Sequence, residues 1–214
     1  MTQLAKHEKW WQENLGNDTY EFEGKQHKAP TEEEFLTWMG EPFAEDRVQV
    51  RSLFPLDATS ILDVACGAGP EWEALKEVRP NLQYTGLDIT PKLVAYCQNK
   101  GMPAVEGSAM QIPFDANTFD VVHTRHLLEH MSEFQKPMSE FVRVAKQCVF
   151  IVFFIDPLDS IFSSITDISV ESHYNNAYSK HEIDTFLTTL EGVKDHQWIR
   201  LSNNSPCVLK INVV

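Results

Sequence analysis

The sequence predicts an α/β fold, a doubly wound and mostly parallel sheet with helices on both faces. Three observations carry this. The apolar run Ile61-Leu62-Asp63-Val64 passes into the small-residue turn Ala65-Cys66-Gly67-Ala68-Gly69, and Pro70 then opens a helical pattern. Together these read as a buried parallel strand, a tight loop and a helix N-terminus. Strand-like and helix-like segments go on alternating to about residue 155, as crossover connections between parallel strands require. The last two strand patterns lie close together and predict an antiparallel hairpin.

Taken in order, residues 1–57 read as a helical lid or appendage and 58–214 as the ligand-binding core. The first segment is rich in Glu and Lys yet holds Trp10, Trp11, Tyr20, Phe22, Phe35, Trp38 and Phe43. Thr31-Glu32-Glu33-Glu34 forms a capping box that opens a short helix, and Phe43 to Leu53 forms another. Strands are expected at Ser60–Val64, Gln83–Asp88, Pro103–Glu106, Phe119–His123 and Cys148–Ile155, with helices between them. Thr90-Pro91 suits an N-cap and first turn, and Gly101 a helix end. A second capping box, Ser179-Lys180-His181-Glu182, starts a helix that runs to about Leu190. His196 to Leu201 and Val208 to Val214 then alternate as strands around the turn Asn203-Asn204-Ser205-Pro206.

The glycine loop narrows the ligand. Gly67 and Gly69 let a ligand approach the backbone, because no Cβ stands in the way. A dinucleotide loop needs a third Gly where Trp72 stands, and Glu71 in the first helical turn would repel a pyrophosphate. No Gly-Lys-Ser/Thr follows, which excludes a P-loop. Asp63 beside the turn suits a cationic ligand group. S-adenosylmethionine, with a sulfonium, an ammonium and no phosphate, meets these conditions.

Asp63-Val64-Ala65-Cys66-Gly67-Ala68-Gly69 resembles the first motif of class I S-adenosylmethionine-dependent methyltransferases. Three further stretches match in the same order. They are Leu87-Asp88-Ile89, then Glu106-Gly107-Ser108-Ala109-Met110-Gln111-Ile112-Pro113-Phe114, then Phe119-Asp120-Val121-Val122-His123-Thr124-Arg125-His126-Leu127-Leu128-Glu129-His130. The resemblance implies a Rossmann-like seven-stranded sheet of order 3-2-1-4-5-7-6, with one antiparallel hairpin strand at the edge. It also implies S-adenosylmethionine as cofactor, with Asp63, Ala65, Gly67 and Gly69 at the first loop. Asp88 and Ile89 then lie at the ribose, Ser108 and Ala109 at the adenine, and His123 and Arg125 near the sulfonium. Two departures weaken the match locally: Ala65 replaces the first Gly of the usual G-x-G-x-G, and Ser108 stands where an Asp is common.

The rest bears on function class. The 214 residues carry 18 Lys and Arg against 31 Asp and Glu, a net charge of −13, and no basic stripe. This speaks against nucleic acid as a partner. The N-terminus has no apolar signal segment, and the longest apolar run, Cys148 to Ile155, is too short to cross a bilayer. Cys66, Cys97, Cys148 and Cys207 are scattered and read as buried thiols of a reducing, cytoplasmic compartment. His126 and His130 would share a helical face at i and i+4, but without a nearby carboxylate cluster no metal site is expected.

The expected activity is methyl transfer to an oxygen or nitrogen of a small polar acceptor molecule, with no membrane partner and a homodimer allowed. The alternative is a catalytically silent S-adenosylmethionine-binding subunit that supports a partner protein. For a general base, His126 and then His173 are the candidates. Acceptor recognition is expected from residues 1–57 and from the long connection 156–178.

Overall fold

The computed structural model describes residues 41–166, 174–201 and 206–214 in full, and 19–22 and 25–28 as backbone. The two short stretches are strands β1 (Thr19–Phe22) and β2 (Lys25–Lys28), paired antiparallel with Thr19 opposite Lys28. A segment expected to be helical thus contains a hairpin. The Trp10-Trp11 pair and the Thr31 capping box lie outside the described residues.

Five strands run parallel: β3 (Ser60–Val64), β4 (Gln83–Asp88), β5 (Ala104–Glu106), β6 (Phe119–Arg125) and β7 (Ala145–Val152). The hairpin β8 (Val193–Arg200) and β9 (Cys207–Val213) completes a seven-stranded sheet of order β5-β4-β3-β6-β7-β9-β8. Counted from β3, this is 3-2-1-4-5-7-6. β9 is the reversed strand, antiparallel to both β7 and β8, and β8 forms the edge.

Neighbouring residues on the central strands serve different cores. Leu62 and Val122 face one cluster with Phe141, Met138 and Ile183, while Ile61 and Val121 face the other with Val94 and Phe150. That is the strand period of two applied to a sheet covered on both faces. The second cluster also takes in Val50 and Phe54 from α1 (Glu45–Ser52) and the turn after it.

Two strand boundaries differ from the sequence reading. β6 extends past His123 to Arg125, because both its neighbours continue the ladder and Arg125 pairs with Val152. β7 begins earlier, at Ala145, and stops at Val152. Beyond it the Phe154 amide turns away and donates to the Glu129 carboxylate at 2.7 Å. Apolarity continued, but the hydrogen-bond ladder did not.

Between the strands lie α2 (Pro70–Val78), α3 (Pro91–Asn99), α4 (Gln135–Val144) and, before the hairpin, α5 (Lys180–Thr189). Ser179 caps α5 by accepting the Glu182 amide at 3.3 Å. The capping box is not reciprocal. The Glu182 carboxylate instead takes the Ser163 amide at 2.9 Å and the Ser163 hydroxyl, which ties the long connection to the helix.

Gly69 caps α2 in the left-handed region at φ +81, and a Cβ there would collide with Met102 Sδ. Gly69→Ala combines left-handed strain with overpacking and is expected to destabilise by about 2–3 kcal/mol. Chemical denaturation checks this, and a loss below about 1 kcal/mol would mean that Met102 yields freely.

Candidate functional site

The sheet order reverses between β3 and β6, and in open α/β sheets ligands bind outside the strand carboxyl ends at such a point. The loop after β3 is shaped for close approach. Ala65, Gly67 and Gly69 all hold positive φ, at 60, 56 and 81. For Ala65 this costs about 1–2 kcal/mol, strain of the kind that collects at functional sites. Asp88 at the end of β4 holds the loop in place. Its Oδ2 accepts the Gly67 amide and its Oδ1 the Thr90 amide, both at 2.9 Å. Burial pushes the Asp88 carboxyl up, and these two amides pull it back.

A cavity of about 480 Å³ opens above these ends, within the range of small-molecule and cofactor sites. Asp63, Ala65, Gly67, Asp88 and Ile89 line one part of it. Ser108, Ala109, His123, Arg125 and His126 line the rest of the expected set. Gly69 is the exception: it does not reach the wall and packs behind the loop against Met102 and Cys97. His173 lies outside the described residues.

Several wall residues escaped the sequence reading. Asp46 and Arg47 come from α1, Leu93 from α3, and His130 and Met131 from the turn after β6. A partial signal existed for α1, since Arg47 and Arg51 are four residues apart and share a helix face. Their counterion could not be named from spacing. It is Glu71, whose Oε1 accepts from Arg47 at 2.7 Å and Oε2 from Arg51 at 2.8 Å. The reading of Glu71 as a carboxylate that repels anions is therefore corrected. It is buried and engaged by two guanidinium groups, and it pins α1 beside the cavity. A second tie joins Arg125 to Asp46 on the same helix.

Asp63 is more committed than its position suggested. Oδ2 accepts from the Tyr84 hydroxyl at 2.5 Å and Oδ1 from His123 Nδ1–H at 2.8 Å. The second bond orients the imidazole, with Nδ1 toward Asp63 and Nε2 pointing away from it. That Nε2 is buried and has no partner among the described residues. The same holds for Arg125 Nε and Nη1 and for His126 Nε2. Leaving a buried polar atom unmade costs about 1–3 kcal/mol, and here all four belong to side chains on one cavity wall.

His126 does not share a helical face with His130. It sits at φ +56, and the backbone then forms a short 3-10 turn, Leu128–His130. His130 Nδ1–H donates to the Tyr174 carbonyl at 2.8 Å, and both rings pack against Phe154. Burial first, then Arg125 and Arg47, lowers His126 to about 3, so the ring is neutral at physiological pH.

Glu129 behaves in the opposite sense. It is 1% exposed, its Oε1 accepts the Phe154 amide, and its Oε2 has no partner among the described residues. Burial raises its carboxyl to about 7. A folded pKa above the unfolded one makes Glu129 favour folding below about pH 4.5, and this contribution is lost as pH rises through about 7. Glu129→Gln should remove a decline of roughly 3 kcal/mol between those limits. Urea unfolding of both proteins at pH 5 and pH 8 reads the difference, and equal slopes against pH would refute it.

Comparison with known proteins bears on the same region. Residues 62–153 match the family model described as "Methyltransferase domain". That stretch runs from β3 to the end of β7 and contains the reversal point of the sheet. Over that stretch the chain is similar to methyltransferase domains.

Over 98 residues the chain is 35% identical to the phthiotriol/phenolphthiotriol dimycocerosates methyltransferase of Mycobacterium leprae, covering 42% of this chain and 35% of that protein. It is 36% identical over 96 residues to the demethylmenaquinone methyltransferase of Shouchella clausii, covering 41% of each. The chain thus spans less than half the length of these curated relatives. Among solved structures, Streptomyces venezuelae DesVI superposes with a TM-score of 0.64 at 12% identity, covering 84% of this chain and 96% of that one. This last likeness shows the methyltransferase fold. Among the described residues no helix is long and apolar enough to cross a membrane.

Proposed function

We propose that the chain transfers a methyl group from S-adenosylmethionine to an oxygen or nitrogen of a small polar acceptor. The observation that carries this is the set of unpartnered polar atoms on His123, Arg125 and His126, gathered at the end of β6 on the cavity wall. Hydrogen-bonding atoms in such a place suit a polar ligand.

The residues present also fit the cofactor. Asp88 accepts the Gly67 and Thr90 amides and the Thr90 side chain, and the lone pair left over can take a ribose hydroxyl. Gly67 keeps the wall thin beside them, and Ser108 and Ala109 supply the expected adenine edge. The buried Asp63 carboxylate suits the cationic end. When bound, the cofactor supplies a sulfonium methyl that is open to in-line displacement.

The protein's own contribution is mostly alignment, which in model reactions reaches about 7–11 kcal/mol. Neutral His126 accepts a hydrogen bond from the acceptor's hydroxyl or uncharged amine N–H and so orients its nucleophilic lone pair. With its conjugate acid near 3, it cannot retain the proton at neutral pH, and its role is orientation rather than storage of charge. Leu127 and Met131 exclude water from the same wall.

Relatives named for demethylmenaquinone and for dimycocerosates support a small-molecule acceptor, and the net charge of −13 speaks against a polyphosphate chain. Calorimetry with S-adenosylmethionine and S-adenosylhomocysteine tests the cofactor, and labelled methyl transfer to a panel of hydroxyl and amine compounds tests the acceptor. Binding of both with turnover on one acceptor class is the expected result. No binding would overturn the proposal, and binding without any turnover would favour a supporting subunit.

A further inference from the structure

Behind the cofactor loop lies a pair of thiols that methyl transfer does not use. Cys66 belongs to the loop and lines the cavity, whereas Cys97, on α3, is fully buried beneath it. Cys97 Sγ–H donates to the Gly67 carbonyl at 3.2 Å, and Cys66 Sγ lies 4.0 Å from the same oxygen. The two thiols thus converge on one carbonyl oxygen. Met102 is wedged beside both: its sulfur backs Gly69 next to Cys97, and its methyl backs Gly86 next to Cys66. Gly67 is therefore held on both sides, its amide by Asp88 and its carbonyl by the thiol pair.

We propose that peroxide joins Cys66 and Cys97 in a disulfide that displaces Gly67 and closes the site to S-adenosylmethionine, and that bound cofactor blocks this oxidation. The peroxide enters through the cavity, so Cys66 reacts first. Its sulfur attacks one peroxide oxygen, the O–O bond breaks, and one water leaves with formation of a sulfenic acid. The Cys97 sulfur then attacks the Cys66 sulfur, the S–O bond breaks, and a second water leaves. Two thiols and one peroxide thus give one disulfide and two waters, with both sulfurs oxidised and both peroxide oxygens reduced. The neighbouring Cys97 thiol and then burial push the Cys66 thiol up, so the first step is slow beside that of an exposed thiol.

A disulfide holds its sulfurs at about 2.05 Å, far inside hydrogen-bond contact, and the Cys97 hydrogen bond to Gly67 is lost as it forms. The loop cannot keep its present path under that contraction. Cofactor affinity is expected to fall by roughly tenfold or more, the equivalent of one lost hydrogen bond.

The test treats the full chain with hydrogen peroxide and maps its peptides without reduction. The expected result is a Cys66–Cys97 pair that dithiothreitol reverses and saturating S-adenosylhomocysteine suppresses. Calorimetry should show the affinity loss in the oxidised form and its recovery on reduction. Cys97→Ser, compared only with its own untreated form, should show neither the pair nor the loss. Absence of the pair, or a pair that leaves affinity unchanged, overturns the proposal. The loss of affinity rests on the cofactor reading above, but the peptide map does not. Failure of the reduced protein to bind S-adenosylmethionine overturns that reading, while absence of the pair overturns this one.

Discussion

Glu71→Ala is expected to destabilise the protein by about 3–5 kcal/mol, although it removes one side chain from the first turn of an otherwise intact helix. The reason is what remains. Arg47 and Arg51 are 7% and 9% exposed, and Glu71, at 3%, accepts a hydrogen bond from each. Without it, two guanidinium groups stay buried side by side, each short of its bond to Glu71. Either they keep their place at that cost or α1 lifts from the core and exposes Val50 and Phe54. The second route would also open the cavity wall formed by Asp46 and Arg47. Urea unfolding with and without S-adenosylmethionine distinguishes them, since lifting alone weakens the cofactor while leaving the main transition near its original midpoint. A triple replacement of Glu71, Arg47 and Arg51 by apolar residues of similar volume should recover most of the stability, because no charge is then left unpaired. A Glu71→Ala protein with both its unfolding midpoint and its cofactor affinity unchanged would show that this network holds nothing in place.

Asp88→Ala is expected to lower S-adenosylmethionine affinity by about a hundredfold, the upper end for charge-assisted hydrogen bonds, and to cost about 2–4 kcal/mol of stability as well. From its strand-end position alone, folding would be expected to be little affected. The structure reverses that second expectation. Asp88 is 6% exposed, and its two oxygens accept the Gly67 and Thr90 amides, which would lose their acceptors. Asp88→Asn keeps one acceptor oxygen and should fall between alanine and the native protein on both scales. Calorimetry gives the affinity and thermal unfolding the stability. An unchanged dissociation constant would remove Asp88 from the ribose, whereas unchanged stability would mean that water replaces it at the loop.

How much was legible depended on the range of the interaction. Ser60–Val64 and Gln83–Asp88 were readable residue for residue, because their apolar runs end in residues that cannot continue a buried strand. Ser179 was readable as a cap because the bond it makes lies three residues away. Glu182 was misread as its reciprocal partner, because the group it accepts from, Ser163, is nineteen positions back in the chain. The end of β7 was misplaced for the same reason: Phe153 to Ile155 is as apolar as the strand, but Glu129 draws the Phe154 and Ile155 amides out of the ladder.

The sequence by itself determined the fold class and, through its family resemblance, the strand order and ten of the twenty-three residues that line the cavity. The fold class follows from periodicity and from glycine and proline placement, which are local, while the strand order and the site residues are what the resemblance of the motifs implied. Only the tertiary structure decided which partner each of these buried groups meets inside the protein. Asp63 is taken by Tyr84 and His123, Glu71 by Arg47 and Arg51, and Gly69 by the packing of Met102. These contacts cross 20 to 60 positions of chain. They exist because burial in a shared interior leaves no polar group without a cost unless another part of the chain arrives to satisfy it.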